Sequence, residues 1–259
     1  IERETLNTVR DALKDNQLDL YVQPVVTLPQ RKEKHVDCEV RIAAGSGDFM
    51  PAALYNEILR ANGLLAPVDD MLLFRTVELL AESPPKEAGG YAFCRIPPDS
   101  LADAEFFGAF IDYLRETDDL VSSIVFEFRE ADLIDLGEAG ADALGALVDL
   151  GFNLCVSQLH NFDVEADRLV EGGVRFVKVD AELLMPAISD DAEAARIRRL
   201  KSGLDDAGIE LIVSGIANEQ LLVELLDFDV EFGEGPLFGD PRKAAQQVTA
   251  PAEGHRGRA

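Results

Sequence analysis

Apolar residues recur along this chain in two rhythms, period two in short runs and near 3.6 in longer ones, which predicts strands separated by helices. The first sixteen residues set Ile1, Leu6, Val9 and Leu13 on one stripe among charges, an amphipathic helix suited to a connector. Residues 18–28 read as a first strand, and a charged turn at 31–34 leads into a second over 35–43. In that second run Val36, Cys38, Val40 and Ile42 take one face, so Asp37, Glu39, Arg41 and Ala43 take the other. Charge on such a face must meet water, an opposite charge or a ligand, because burying it alone is prohibitively costly. The pattern suits a half-solvated edge strand, or a strand whose polar face lines a site.

Helices follow over 48–62, closed by Gly63, and over 68–81, entered through Asp69 and Asp70. From there short β-rich runs and longer helical ones alternate. Strands are expected at 91–96, 123–128, 152–156, 174–179, 209–213 and 230–232. Between them lie a helix capped by Asp99 or Ser100 that buries Phe106, Phe107, Phe110, Ile111 and Leu114, then helices ending near Leu150 and over 164–171, 191–207 and 218–226. A last helix is expected near Arg242, followed by a disordered Pro-, Gly- and charge-rich tail over 249–259. About eight strands over roughly 230 residues fit an α/β chain folded as a TIM-like (β/α)8 barrel better than an open doubly wound sheet. The expected organisation is a connector helix over 1–17, a barrel over 18–246 and a tail over 247–259.

Composition narrows the function classes. Among 259 residues, 49 Asp and Glu against 24 Lys and Arg give a net charge of -25, which repels polymeric nucleic acid and anionic membrane. It leaves room for a small anion held by a few local cations. Cys38, Cys94 and Cys155 each lie in an apolar run without metal-ligand spacing, and read as reduced core residues of a cytoplasmic protein. No apolar run approaches the roughly 20 residues of a membrane span. The chain opens at Ile1 without a methionine, so it is expected to be a piece of something longer.

In a β/α barrel the chemistry collects at the C-terminal strand ends. Taken in order these are Gln23, Glu39 with Arg41, Arg95, Glu127 with Arg129, Ser157 with Gln158, Lys178 with Asp180, Ser214, and Glu234. The result is a mixed-charge mouth.

These positions carry a resemblance to the EAL family of cyclic di-GMP phosphodiesterases, over about 18–243. The family's Tyr-x-Gln-Pro strand resembles Tyr21-Val22-Gln23-Pro24, and its Glu-Ala-Leu signature falls on Glu39-Val40-Arg41. Its Glu-x-x-Glu strand end resembles Glu127 to Glu130, its Leu-Lys-Ile-Asp segment Val177-Lys178-Val179-Asp180, and its Gln-Gly-x-Leu-Phe-Gly-x-Pro loop Glu234 to Pro241.

The resemblance implies two divalent ions in active members, held by carboxylates and an asparagine, with a lysine helping to place the attacking water. Here Glu39, Glu127 and Lys178 remain, but Arg95 stands at the asparagine position, Ser157 and Gln158 at the paired aspartates, Ser214 and Ala217 at later glutamates, and Glu234 at the glutamine. Two ions need several hard anionic oxygens around them, and Arg95 would instead pair with Glu39 or Glu127. The expectation is therefore no enzyme, no metal and no cofactor, but a receptor for cyclic di-GMP that signals to a protein partner, with a homodimer as one option, in motility or in flagellar or pilus assembly. By resemblance its ligand surface comprises Gln23, Pro24, Glu39, Arg41, Asp69, Arg95, Glu127, Lys178, Ser214, Glu234, Pro236 and Phe238. Arg41, Arg95, Arg129 and Lys178 are the cations available to its phosphates, whereas Ala43 stands where the family has an arginine. Two alternatives stay open: a ligand-free interaction scaffold, and a phosphodiesterase with an altered metal set.

Overall fold

The computed structural model describes residues 2–15, 17–43, 49–50, 52–82, 89–134 and 136–244. Its strands are β1 (Leu18–Thr27), β2 (Glu33–Ala43), β3 (Phe49–Met50), β4 (Ala92–Arg95), β5 (Ile124–Arg129), β6 (Asn153–Ser157), β7 (Val174–Asp180), β8 (Glu210–Ser214), β9 (Phe232–Glu234) and β10 (Arg242–Lys243). Eight of them close in the order β1-β9-β8-β7-β6-β5-β4-β2, with β1 returning to pair with β2. The strand holding Glu39 is thus no sheet edge, and its polar face lines the barrel.

β1 runs antiparallel to both its neighbours, β2 and β9, whereas β2 and β4 to β9 pair in parallel. The cause is the connection to β2, a tight turn closed by Arg31 N–H to Thr27 O and Thr27 N–H to Lys32 O. So short a link cannot make the crossover that parallel strands require. Helices clothe the outside in two apolar layers, one around Phe110, Phe126 and Leu147 and one around Ile197, Leu211 and Leu225. Val25, Phe93, Val125, Cys155, Phe176 and Ile212, all 0% exposed, fill the barrel as an inner layer.

Several elements depart from the sequence expectations. The helix expected over 48–62 begins only at Ala52, because Phe49–Met50 pairs with Ile42 and Ala43; Asp48 lies outside the described residues. The helix expected to start at Asp99 or Ser100 is two, Pro98–Ala102 and Ala104–Arg115, and the second is capped by Asp103, whose carboxylate accepts from the Glu105 and Phe106 amides. No helix forms at Arg242: Arg242–Lys243 is a strand pairing with Val22 and Tyr21. The tail from 249 lies outside the described residues. The amino-terminal helix Glu2–Lys14 buries Val9 and Ala12 and packs on the helix Ala52–Ala61. Among the described residues no helix is long and apolar enough to cross a membrane.

The loop after β9 depends on one glycine. Gly235 has φ +143, and a Cβ there would fall 2.4 Å from the Ile216 nitrogen and 2.5 Å from its oxygen. Backbone cannot move aside cheaply, so Gly235→Ala is expected to lower the unfolding free energy by roughly 3 kcal/mol or more, read from urea denaturation.

Candidate functional site

Strand alternation turns the inner layer into a site. Two residues beyond Phe93, Val125, Cys155, Phe176 and Ile212, the same inward face carries Arg95, Glu127, Ser157, Lys178 and Ser214. The antiparallel pairing of β1 and β2 sets Gln23 opposite Asp37 and Tyr21 opposite Glu39, adding their side chains to that face. An apolar layer therefore lies directly beneath a polar one. Deeper still, His35 is 2% exposed and ringed by Tyr91, Phe93, Phe176 and Phe232. Its Nδ1 accepts the Tyr91 amide at 3.0 Å, and burial, with Lys34 and Lys178 nearby, pushes its pKa down to about 4. The ring is a neutral part of the floor.

Lys178 is the hub of the polar layer. Its Nζ lies 2.8 Å from Asp37 Oδ2, 2.7 Å from Glu127 Oε2 and 3.7 Å from Glu234 Oε2, and 4.3 Å from the centre of the Phe93 ring. Burial opposes its charge, but the three carboxylates outweigh burial and raise its pKa well above the ordinary value. Arg95 donates from its guanidinium to the other oxygen of Glu127 at 2.7 Å. Burial pushes Glu127 up, yet Lys178 and Arg95 overcome it and hold the group at about 2. Asp37 is raised by burial against the pull of Lys178.

Glu234 behaves differently. Two cations, Lys178 and Arg95, already balance the two anions Asp37 and Glu127, so a third carboxylate is surplus. Burial lifts its pKa to about 7 despite Lys178, with Asp37 and Glu127 adding to the rise. Its Oε2 has no hydrogen-bond partner among the described residues.

Above this network the mouth opens. Tyr21, Gln23, Asp37, Glu39, Arg95 and Pro241 line a cavity of about 290 Å³. A second, of about 240 Å³, lies between the barrel and the helix Leu65–Glu82, with Tyr55, Asp69 and Thr76 among its walls. Cys38, Glu39 and Arg95 border both. Burial lifts Asp69 to about 6, helped by Asp99 and Asp70. At the rim Arg41 holds Glu39 at 3.1 Å and lies 4.5 Å over the Tyr21 ring.

Of the residues expected to bind ligand, Gln23, Glu39 and Arg95 share the first cavity, and Asp69 meets Glu39 and Arg95 in the second. Glu127, Lys178 and Glu234 lie beneath them. Ser214 turns to the side, donating to Asp180 at 2.7 Å, and Pro24 is buried on β1. Pro236 is exposed and lines neither cavity, and Phe238 packs on the outer apolar layer near Ile216 and Leu28. Gln158 is exposed with φ +53, while Ser157 is buried and donates to Phe128 O at 3.4 Å. The structure adds Asp37 to the expected surface; its signal is the period-two run that places it on the face of Glu39 and Arg41.

The carboxylates converge on an ammonium, both Glu127 oxygens are taken by side-chain cations, and no group of three or more His, Cys, Asp or Glu among the described residues is placed to hold a metal ion.

The model of the EAL domain family matches residues 6–241. Two curated relatives are the cyclic di-GMP phosphodiesterase PdeA of Borreliella burgdorferi, 18% identical over 89% of this chain and 34% of its own length, and the probable cyclic di-GMP phosphodiesterase PdeA of Escherichia coli, 20% identical over 93% and 32%. The chain spans about a third of the length of these relatives. Among solved structures, the EAL domain of Xanthomonas citri FimX in complex with c-diGMP superposes with a TM-score of 0.76 at 18% identity, covering 93% of this chain and 94% of that one. The Pseudomonas aeruginosa FimX EAL domain bound to c-di-GMP gives 0.72 at 20%, covering 93% and 97%. The relatives overturn one expectation, that the chain is no enzyme: both are named phosphodiesterases.

Two outcomes test the network. Lys178→Met leaves Asp37 without its cation and Glu127 held by Arg95 alone, and is expected to cost about 3–5 kcal/mol, read from the denaturant midpoint. Because the folded pKa of Glu234 is raised from 4.5 to about 7, its contribution is full below 4.5 and is lost as pH rises through about 7. Glu234→Gln should therefore flatten the stability profile across that window and leave the variant about 3 kcal/mol less penalised than the wild type at pH 8, measured by urea unfolding in a pH series.

Proposed function

The chain belongs to the EAL domain family, and from that premise we propose that its barrel mouth binds cyclic di-GMP and passes occupancy to a protein partner. The observation that carries this reading is the pair of adjoining cavities at the strand ends, of about 290 and 240 Å³, which share Cys38, Glu39 and Arg95 as a common wall. Such a shape suits a ligand with two heads joined by phosphodiesters. The FimX EAL domains, which share the fold, were solved holding that dinucleotide. The mouth supplies acceptors for base N–H groups in Glu39 and Asp69 and a donor for phosphate in Arg95. No metal is needed in this reading, since Lys178 and Arg95 neutralise the carboxylates beneath the cavity. By family resemblance the process served is motility or polar assembly, such as flagella or pili, in the cytoplasm.

A second reading, a ligand-free interaction scaffold, draws on one observation: Phe238, the aromatic of the late loop, packs on the outer layer and lines neither cavity. Calorimetric titration with cyclic di-GMP, in EDTA and in magnesium, separates the two. Saturable binding is expected in both buffers; absence of heat in both at high protein concentration would leave only the scaffold. Chromatography of the same samples for linear dinucleotide measures turnover directly.

A further inference from the structure

Four cations stand near the strand ends, and the structure distinguishes them by what each already holds. Lys178 is 3% exposed and enclosed by carboxylates. Arg129 gives both its Nε and a terminal nitrogen to Asp132, each at 2.7 Å. Arg41 gives its Nε to Glu39 and lies over the Tyr21 ring, 4.5 Å from its centre. Arg95 alone of the four combines an exposed side chain, at 52%, with a single hydrogen bond among the described residues, to Glu127, and a place on both cavities. A guanidinium has five N–H donors in a planar fork, so most of its capacity faces the open mouth.

We propose that Arg95 anchors a phosphodiester of the bound dinucleotide, doing by hydrogen bonds and fixed charge what a divalent cation would otherwise do at that wall. The inference rests on the reading that the mouth binds cyclic di-GMP. Two carboxylates of the same cavity oppose an anion, but each is already paired, Asp37 with Lys178 at 2.8 Å and Glu39 with Arg41 at 3.1 Å. In that cavity an arriving phosphate meets paired charges with unspent N–H donors at their centre, while Asp69 stands in the adjoining cavity. The bond to Glu127 also holds the guanidinium in place before the ligand arrives, so little side-chain freedom is lost on binding.

The test is calorimetry on the wild type, Arg95→Gln and Arg95→Lys in EDTA, with cyclic di-GMP and, separately, with guanosine, across a potassium chloride series. The expected result is metal-free binding by the wild type, a loss of about tenfold or more in Arg95→Gln, and a smaller loss in Arg95→Lys. The variant without charge should also show a shallower salt dependence, and guanosine, which has no phosphate, should not discriminate among the three. Equal dinucleotide affinity in wild type and Arg95→Gln overturns the anchor while leaving the binding reading intact. So does wild-type binding that appears only with a divalent ion. If the wild type binds no dinucleotide in any buffer, both fall together. Should Arg95→Gln fail to fold, the comparison of wild type with Arg95→Lys decides, identical affinities and salt slopes counting against a fork-specific anchor.

Discussion

The ammonium of Lys178 organises the interior of this barrel. It rests on the face of Phe93 and draws carboxylates from β2, β5 and β9 toward one point. Buried charges persist only when paired, and the distances show how completely this one is satisfied. Removing either side would leave the other stranded in a low dielectric. Three strands far apart in sequence are therefore tied together through a single nitrogen, and the polar layer has a fixed register relative to the apolar layer below it.

Around that point the site follows from barrel geometry more than from any local motif. Inward positions fall every second residue, so an aromatic or aliphatic residue in the filled layer places the residue two further on at the mouth. Phe93 leads to Arg95, Val125 to Glu127, and Phe176 to Lys178. The reversed strand β1 contributes by a different route, its cross-strand partners on β2 bringing Tyr21 and Gln23 to the same wall as Glu39 and Asp37. Electrostatic balance then explains why the surplus acid Glu234 has its pKa lifted to about 7, while Glu127, held by Lys178 and Arg95, stays low.

Much of this was legible in the chain. Alternation and strand spacing indicated a barrel, and the strand ends named Arg95, Glu127, Lys178 and Glu234 as neighbours. The rest depends on contacts that lie outside each local run. Asp37 sits one inward step below Glu39, and nothing in a single run says which of two same-face acids reaches the centre; that depends on the stagger between strands. Arg242 and Lys243 read as helical from their surroundings, but pairing with the exposed side of β1 outweighs local propensity. Asp99 and Ser100 offer the same capping chemistry earlier than Asp103, and only the break after Ala102 selects among them. Phe238 has the right motif around it, yet its ring goes to the outer layer, a choice made by Ile216 and Leu28 and invisible in the loop itself.

The direction of β1 has a topological corollary. In a barrel of uniformly parallel strands the chain enters at the closed end, opposite the working face. Here Leu18 pairs with Ile42, so the entering segment meets the barrel at the end where the carboxyl termini of the other strands gather. The helix Glu2–Lys14, seated on the helix Ala52–Ala61 and against β2, consequently packs on the strand that carries Asp37, Glu39 and Arg41, and the segment leading from it joins the barrel at the open end.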